Sequence, residues 1–302
     1  WKYFFREVLA NGQLLGKILI LTVISALLVN LQSSFDQGVA KISSMACFLA
    51  ISAIALGSFK YVIRIGQVAI ESMSDLMTAV LPQMMVLVTG LGHIHTAGAI
   101  FPLMMAACTA FARGIGLIVF PLIALSAILN LAEQLTDTIK LERLGKLLYT
   151  LAEAIMGLML TFFVGILTLR SIYGSVMDAI TLRTGKFVTD TFFPIIGGYL
   201  ADALETAAGY VVLLKQAVGI MGLLTIFGIF IFPVIKIGVI ALIYKVSSAV
   251  VEPLGDSRIS QVLEVMGNHL LLVLAAVAAV GLMFFVLVAI LVSTGNSVIL
   301  LR

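Results

Sequence analysis

Long apolar runs, free of Asp, Glu, Lys and Arg, alternate along this chain with short charged stretches. The runs are Ile18–Phe35, Ile42–Phe59, Leu76–Ala112, Gly114–Ala132, Ala154–Leu169, Gln216–Ile235 and Val265–Leu301. Bilayer hydrocarbon is about 30 Å thick, so a helix needs about 20 mostly apolar residues to cross it. Each run is therefore a candidate crossing. The predicted fold is all-α: a polytopic integral membrane helical bundle. Leu76–Ala112 and Val265–Leu301 are too long for one simple crossing. The first holds Pro82, Gly90, Gly92, Gly98 and Pro102, which predicts a broken or re-entrant helix within the membrane.

The charged stretches carry a second pattern. Lys60, Arg64, Gln67, Glu71 and Asp75 recur at spacings of three and four. On a helix they form one polar stripe, opposite Ile63, Ile70 and Met77. Such a stripe suits an amphipathic helix at the membrane interface, or a polar face lining a passage. Glu133–Lys146 mixes both signs and reads as an aqueous loop. Val251–Gly267, with Pro253, Gly255 and Asp256, reads as a second.

A faint duplication overlays these elements. Leu81-Pro82 to Phe120-Pro121 has the same separation as Phe193-Pro194 to Phe232-Pro233. Gly116 then aligns with Gly228, and Ile123 with Ile235. Helices broken at corresponding places in two halves are a habit of transporters built from repeats. The expected helix breaks are Pro82, Pro121, Pro194 and Pro233. The expected organisation is one membrane domain. An interfacial segment and first transmembrane helix occupy 1–40, one repeat 41–150, and the other 151–302.

Composition supports the membrane reading. Of 302 residues, 62% are hydrophobic and only 11% charged, with mean hydropathy +1.20. Soluble domains carry roughly a quarter charged residues, enough to cover a wet surface. The net charge of +3 is spread along the chain without a basic cluster, so no nucleic-acid partner is expected. Cys47 and Cys108 lie in apolar runs and read as small buried hydrophobes. The chain opens on Trp1, so a removed leader or upstream segment is expected before it.

Chemistry-bearing motifs are few. The sequence has no P-loop and no HExxH or GxSxG signature. His93 and His95 form an HxH pair beside Gly90 and Gly92, but a metal needs three or four ligands. A polar spot at a helix break fits them better, and no catalytic residue, cofactor or metal is expected. Thr181–Lys215 stands out because Arg183, Lys186, Asp190, Asp202, Glu205 and Lys215 sit in apolar surroundings. Asp202 and Glu205, three apart, share a helix face, and Pro194 opposes an unbroken helix. Charge in hydrocarbon turns toward protein or water. Two accounts stay open: a re-entrant element lining a polar passage or gate, and an interfacial helix pair with its charges among the headgroups. Lys236 and Lys245 fit snorkelling at the two ends of a short span.

Several strings resemble the stage III sporulation protein AE family of endospore-forming bacteria. They include YFFREVLANGQLLG (Tyr3–Gly16), TLRTGKFVTDTFFPIIG (Thr181–Gly197), LLKQAVGI (Leu213–Ile220), FPVIKI (Phe232–Ile237), ALIYK (Ala241–Lys245), EPLG (Glu252–Gly255) and MFFVLVAILVSTGN (Met283–Asn296). The resemblance runs over nearly the whole chain. It implies a multi-pass protein of the mother-cell membrane surrounding the forespore. It further implies a set of co-encoded stage III sporulation proteins, including a secretion-type ATPase and ring-forming proteins. With a forespore membrane partner these form a channel-like complex. This member is expected to be its non-enzymatic conduit or export-gate component, in contact with membrane lipid and open to homo-oligomerisation. Two other classes compete: an autonomous secondary transporter for a small solute or ion, and a membrane scaffold without a passage.

Overall fold

The computed structural model describes residues 37–135, 141–192, 197–254 and 257–294, with Gly12, Gly16, Lys17, Ile20, Leu21, Val23 and Ile24; at 37–41, 43–44, 135, 171–192, 197–205, 254 and 257 it describes backbone alone. The described elements are helical throughout. Helix α1 is Gln37–Gly90, followed by a π-helical turn at Thr96–Ile100, α2 at Phe101–Gly114, a second π turn at Ile115–Val119, and α3 at Phe120–Leu135. Then come α4 (Glu142–Phe192), α5 (Gly197–Val251), a 3₁₀ turn at Glu252–Leu254, and α6 (Ser257–Ser293). Among the described residues five helical stretches are long and apolar enough to cross a membrane: Met45–Gly90, Thr96–Gln134, Glu142–Arg170, Thr206–Val251 and Arg258–Ser293.

These helices are longer than the apolar runs forecast. With 54 residues, α1 extends about 81 Å at 1.5 Å per residue. It joins Ile42–Phe59 to the start of Leu76–Ala112 through the charged stripe. Charge on one face does not end a helix, because the backbone ladder continues beneath it. Lys60, Arg64, Gln67, Glu71 and Asp75 are all exposed, while Val62, Gly66, Ala69, Ile70, Met73 and Met77 are buried on the other side. The second expected loop is likewise mostly helix. From Ser257 the chain is already α6, with Ile259, Val262, Leu263 and Met266 buried.

The proline breaks need correction at two positions. Pro82 lies inside α1 and Pro233 inside α5, and neither helix ends there. A proline removes one backbone bond and bends the helix, and packing on neighbouring elements holds the rest. Pro121 follows the second π turn, where the Phe120 N–H reaches back five residues to the Ile115 carbonyl. Pro102 follows the first π turn in the same way, after the Phe101 N–H bonds the Thr96 carbonyl. A wider turn removes the clash between the proline ring and the carbonyl four residues earlier. Pro194 lies outside the described residues, as does most of the first expected crossing.

The break inside Leu76–Ala112 falls instead at Gly92, whose φ is 85°. The His93 N–H bonds the Val88 carbonyl and the Gly92 N–H bonds the Thr89 carbonyl. This paired closure of a helix end needs a residue with positive φ, which glycine supplies at least cost.

The chain divides into two compact units, each assembled from distant segments. Unit 1 comprises 1–69, 114–156 and 231–278; unit 2 comprises 70–113, 157–230 and 279–302. In unit 1, Gly66 of α1 sits so close to Phe120 and Val277 that an added Cβ would lie 3.0 Å from each. The hydroxyls of Ser58 and Tyr244 bond α1 to α5, and Ser248 of α5 donates to the Ser260 carbonyl of α6 at 2.9 Å. In unit 2, Met73, Met77, Met84 and Met104 are wholly buried, with Phe101 and Phe284. Flexible thioethers fill irregular gaps between helices.

Along α6, Ile259, Met266, Val273, Val280 and Leu287 repeat every seven residues, as do Leu263, Leu270, Val277, Phe284 and Leu291; all are buried. That period suits helices crossing at a shallow angle. Of the five stretches, Arg258–Ser293 is the most enclosed and Glu142–Arg170 the least. Outward-facing Leu158, Phe162 and Val164 on α4 are more than half exposed, which suits lipid and would be a liability in water.

Candidate functional site

Buried polar groups are costly in such a protein and therefore informative. In unit 1 they converge on Ser126 of α3, Tyr149 of α4 and His269 of α6. Ser126 is wholly buried and His269 is 2% exposed. The Ser126 Oγ lies 2.7 Å from the Gly145 carbonyl oxygen and 2.9 Å from His269 Nε2. His269 Nδ1 lies 2.7 Å from the Val265 carbonyl, one turn back on α6. The Tyr149 ring meets the imidazole edge-on at 5.1 Å, with Glu153 one turn along α4.

The backbone brings these groups together through one small residue. A Cβ at Gly145 would lie 2.4 Å from Asn130 Oδ1 and 2.9 Å from its Cγ. The first turns of α4 therefore approach α3 closely only because residue 145 has no side chain. Asn130 stands one turn beyond Ser126 on α3.

Asn130 and Val265 also form the wall of a cavity of about 430 Å³. Its other lining residues are Glu133 and Gln134 from α3, Glu142 from α4, and Gln261 and Glu264 from α6. The lining is acidic and amide-rich. Lys245 of α5 approaches Glu264 at 3.8 Å, with both side chains partly exposed. Polar groups thus run from an acidic mouth at the ends of three spans to an imidazole inside. Ser126 is not among the lining residues, so a solute in the cavity would meet carboxylates and amides and not the hydroxyl.

In unit 2 the buried polar groups gather at the end of α6. Lys215 of α5 is wholly buried, and its ammonium donates to the Thr294 carbonyl. Arg170 of α4 donates from Nη2 to Thr294 Oγ1 at 2.5 Å. Thr294 Oγ1 in turn donates to the Ile290 carbonyl at 2.8 Å. Two cations at a helix C-terminus meet the negative end of its dipole and its unpaired carbonyls.

The residues expected from sequence fall as follows. Arg183, Lys186 and Asp190 belong to α4, and Asp202 and Glu205 to α5. The side chains of these five lie outside the described ones. Lys215 is inside the protein, holding Thr294. His93 is buried at the turn after α1 while His95 is exposed, so the pair marks the helix break. Among the described residues no cluster of three or more His, Cys, Asp or Glu is placed to hold a metal. Lys236 stands 5.4 Å over the Tyr61 ring. Ser126, Tyr149 and His269 went unpredicted. A signal for one of them was present, since His269 is the lone histidine in Val265–Leu301. Histidine does not interrupt a run defined by the absence of Asp, Glu, Lys and Arg.

Comparison with known proteins adds a family. Residues 1–295 match the family described as stage III sporulation protein AE. The stage III sporulation protein AE of Bacillus subtilis (strain 168) is 34% identical over 303 residues, covering 100% of this chain and 76% of that protein. No solved structure matches.

Proposed function

The chain belongs to the stage III sporulation protein AE family, and from that premise we propose that it is a non-enzymatic conduit or export-gate component of a multi-protein channel complex. That complex links mother cell and forespore during endospore formation. The chain sits in the mother-cell membrane around the forespore. Its partners are the co-encoded stage III proteins, among them a secretion-type ATPase and ring-forming proteins, and a forespore membrane protein. The observation that carries this reading is the polar route in unit 1. An acidic cavity opens among span ends with Asn130 and Val265 in its wall, and the buried Ser126–His269 pair lies one helical turn further along α3 and α6. A scaffold without a passage has no need to bury such groups. Arg183, Lys186, Asp190, Asp202, Glu205 and Lys215 are proposed as further lining or as assembly contacts.

The test uses a spore-forming host whose own copy is replaced by this chain. The tagged protein should co-purify with the co-encoded membrane proteins from sporulating cells, and should move no solute when reconstituted alone in liposomes. Alanine at Arg183, Lys186, Asp190, Asp202 and Glu205 together should abolish sporulation or complex assembly. Unchanged sporulation and assembly would remove those five from the proposal. The buried imidazole beside a cavity also suits an autonomous secondary transporter. Solute uptake by the purified chain alone would establish that second reading and overturn the first.

A further inference from the structure

We propose that His269 is a proton-binding site, loaded from the acidic cavity, whose occupancy decides whether Ser126 of α3 donates to the Gly145 carbonyl of α4. Three contacts meet at this point: Nδ1 to the Val265 carbonyl, Nε2 to Ser126 Oγ, and Ser126 Oγ to the Gly145 carbonyl, at 2.7, 2.9 and 2.7 Å. Both carbonyls accept only. Each contact therefore needs its own hydrogen. A neutral imidazole has one N–H and the serine one O–H, which makes two. An imidazolium has two N–H groups, and with the serine the total is three.

The two protonation states differ in a defined way. In the charged state Nδ1–H donates to Val265, Nε2–H donates to Ser126, and the Ser126 hydroxyl donates to Gly145. In the neutral state with Nδ1–H retained, Nε2 must accept the serine hydrogen, and the Gly145 carbonyl loses its donor. Keeping the Gly145 bond instead sets two lone pairs against each other, across 2.9 Å at Nε2 or, in the Nε2–H tautomer, across 2.7 Å between Nδ1 and the Val265 carbonyl. A proton arriving from cavity water adds to the imidazole lone pair, and the serine hydroxyl turns to Gly145. No other bond changes, and the ring gains one positive charge.

The surroundings suit this role. Val265 is shared between the cavity wall and the imidazole's acceptor, which gives a proton a short way in. From α4, Tyr149 faces the imidazole, Glu153 stands one turn further along, and Glu142 lines the mouth. From α3 come Ser126 and, at the mouth, Glu133. Glu264 lies on α6 itself, and Lys245 of α5 packs over Gly267 and approaches Glu264. Histidine is the side chain whose ordinary titration falls between about pH 5 and 8.

The experiment is nitrogen NMR of the whole chain in lipid nanodiscs, labelled at histidine only. There are three histidines, so the H93N and H95N variants assign the third resonance by elimination, and the wild type is titrated from pH 8 to 5. Both ring nitrogens of His269 should become protonated toward the acid end. The sign for Ser126→Ala follows from the count: the charged state loses the acceptor of Nε2–H, whereas the neutral state loses only a donor. Proton affinity should fall about tenfold, a shift of roughly one pH unit toward acid. A wild-type His269 that stays a single neutral tautomer across the range overturns the proposal, and that arm needs no variant at position 126. An unshifted titration in Ser126→Ala overturns it too.

Discussion

Replacing Gly281 by alanine should loosen unit 2, although alanine is the better helix former. An added Cβ at 281 falls 2.7 Å from Phe230 Cγ, 2.8 Å from its Cβ and 3.0 Å from its Cδ2. Carbon atoms in contact prefer about 3.5–4.0 Å. Cβ and Cγ lie at the root of the Phe230 side chain, so no rotamer change relieves the clash and the α5 and α6 backbones must separate locally. Overpacking of this kind costs about 1–3 kcal/mol. Helix propensity returns up to about 1 kcal/mol, leaving a net loss of about 0–2 kcal/mol. Gly228→Ala is the internal control, since it lies in the same unit and has nothing within 4 Å of its added Cβ. It should gain up to about 1 kcal/mol from propensity alone. The propensity gain is common to both, so at about 1.4 kcal/mol per tenfold the two variants should differ roughly five- to a hundredfold in unfolding equilibrium. Reversible unfolding in mixed detergent micelles, or steric trapping in bicelles, reads this difference. A Gly281→Ala protein as stable as Gly228→Ala would refute the close approach of Phe230 to α6.

Two further outcomes follow from packing. Maleimide should label Cys47, which is partly exposed, well before Cys108, which is 1% exposed; equal rates in intact membranes would contradict the burial of α2 against its neighbours. Tyr244→Phe removes the hydroxyl bonded to Ser58 and should cost about 0.6–1.5 kcal/mol in the same unfolding assay. A neutral effect would mean that this hydroxyl finds no partner in the native protein.

The amino-acid sequence by itself determined that this chain is helical and lives in a membrane. With 62% hydrophobic residues and so few charges, no water-covered surface can be built, and unpaired backbone in lipid forces helices. Sequence strings also determined the family, because they are specific to it. Helix boundaries were only partly legible. The stripe from Lys60 to Asp75 was recognised, but whether it interrupts or merely decorates a helix depends on what packs behind it. Val62, Ala69, Ile70 and Met73 are buried there, and α1 runs on. Proline was a poor guide, since Pro82 and Pro233 sit inside long helices while Gly92 makes the break. The difference is that a lost hydrogen bond is tolerable in a packed helix, whereas a positive φ reverses the chain's course.

Only tertiary structure assembled the polar site. Ser126, Tyr149 and His269 lie far apart in sequence and on three helices; Ser126 and His269 each alone read as an ordinary residue in an apolar run, and Tyr149 as an ordinary residue just before one. Their meeting depends on Gly145 admitting Asn130, a steric fact with no trace in periodicity or composition. Spacing along a chain reports which residues share a helix face. Which faces meet is decided by side-chain shapes packed together in three dimensions.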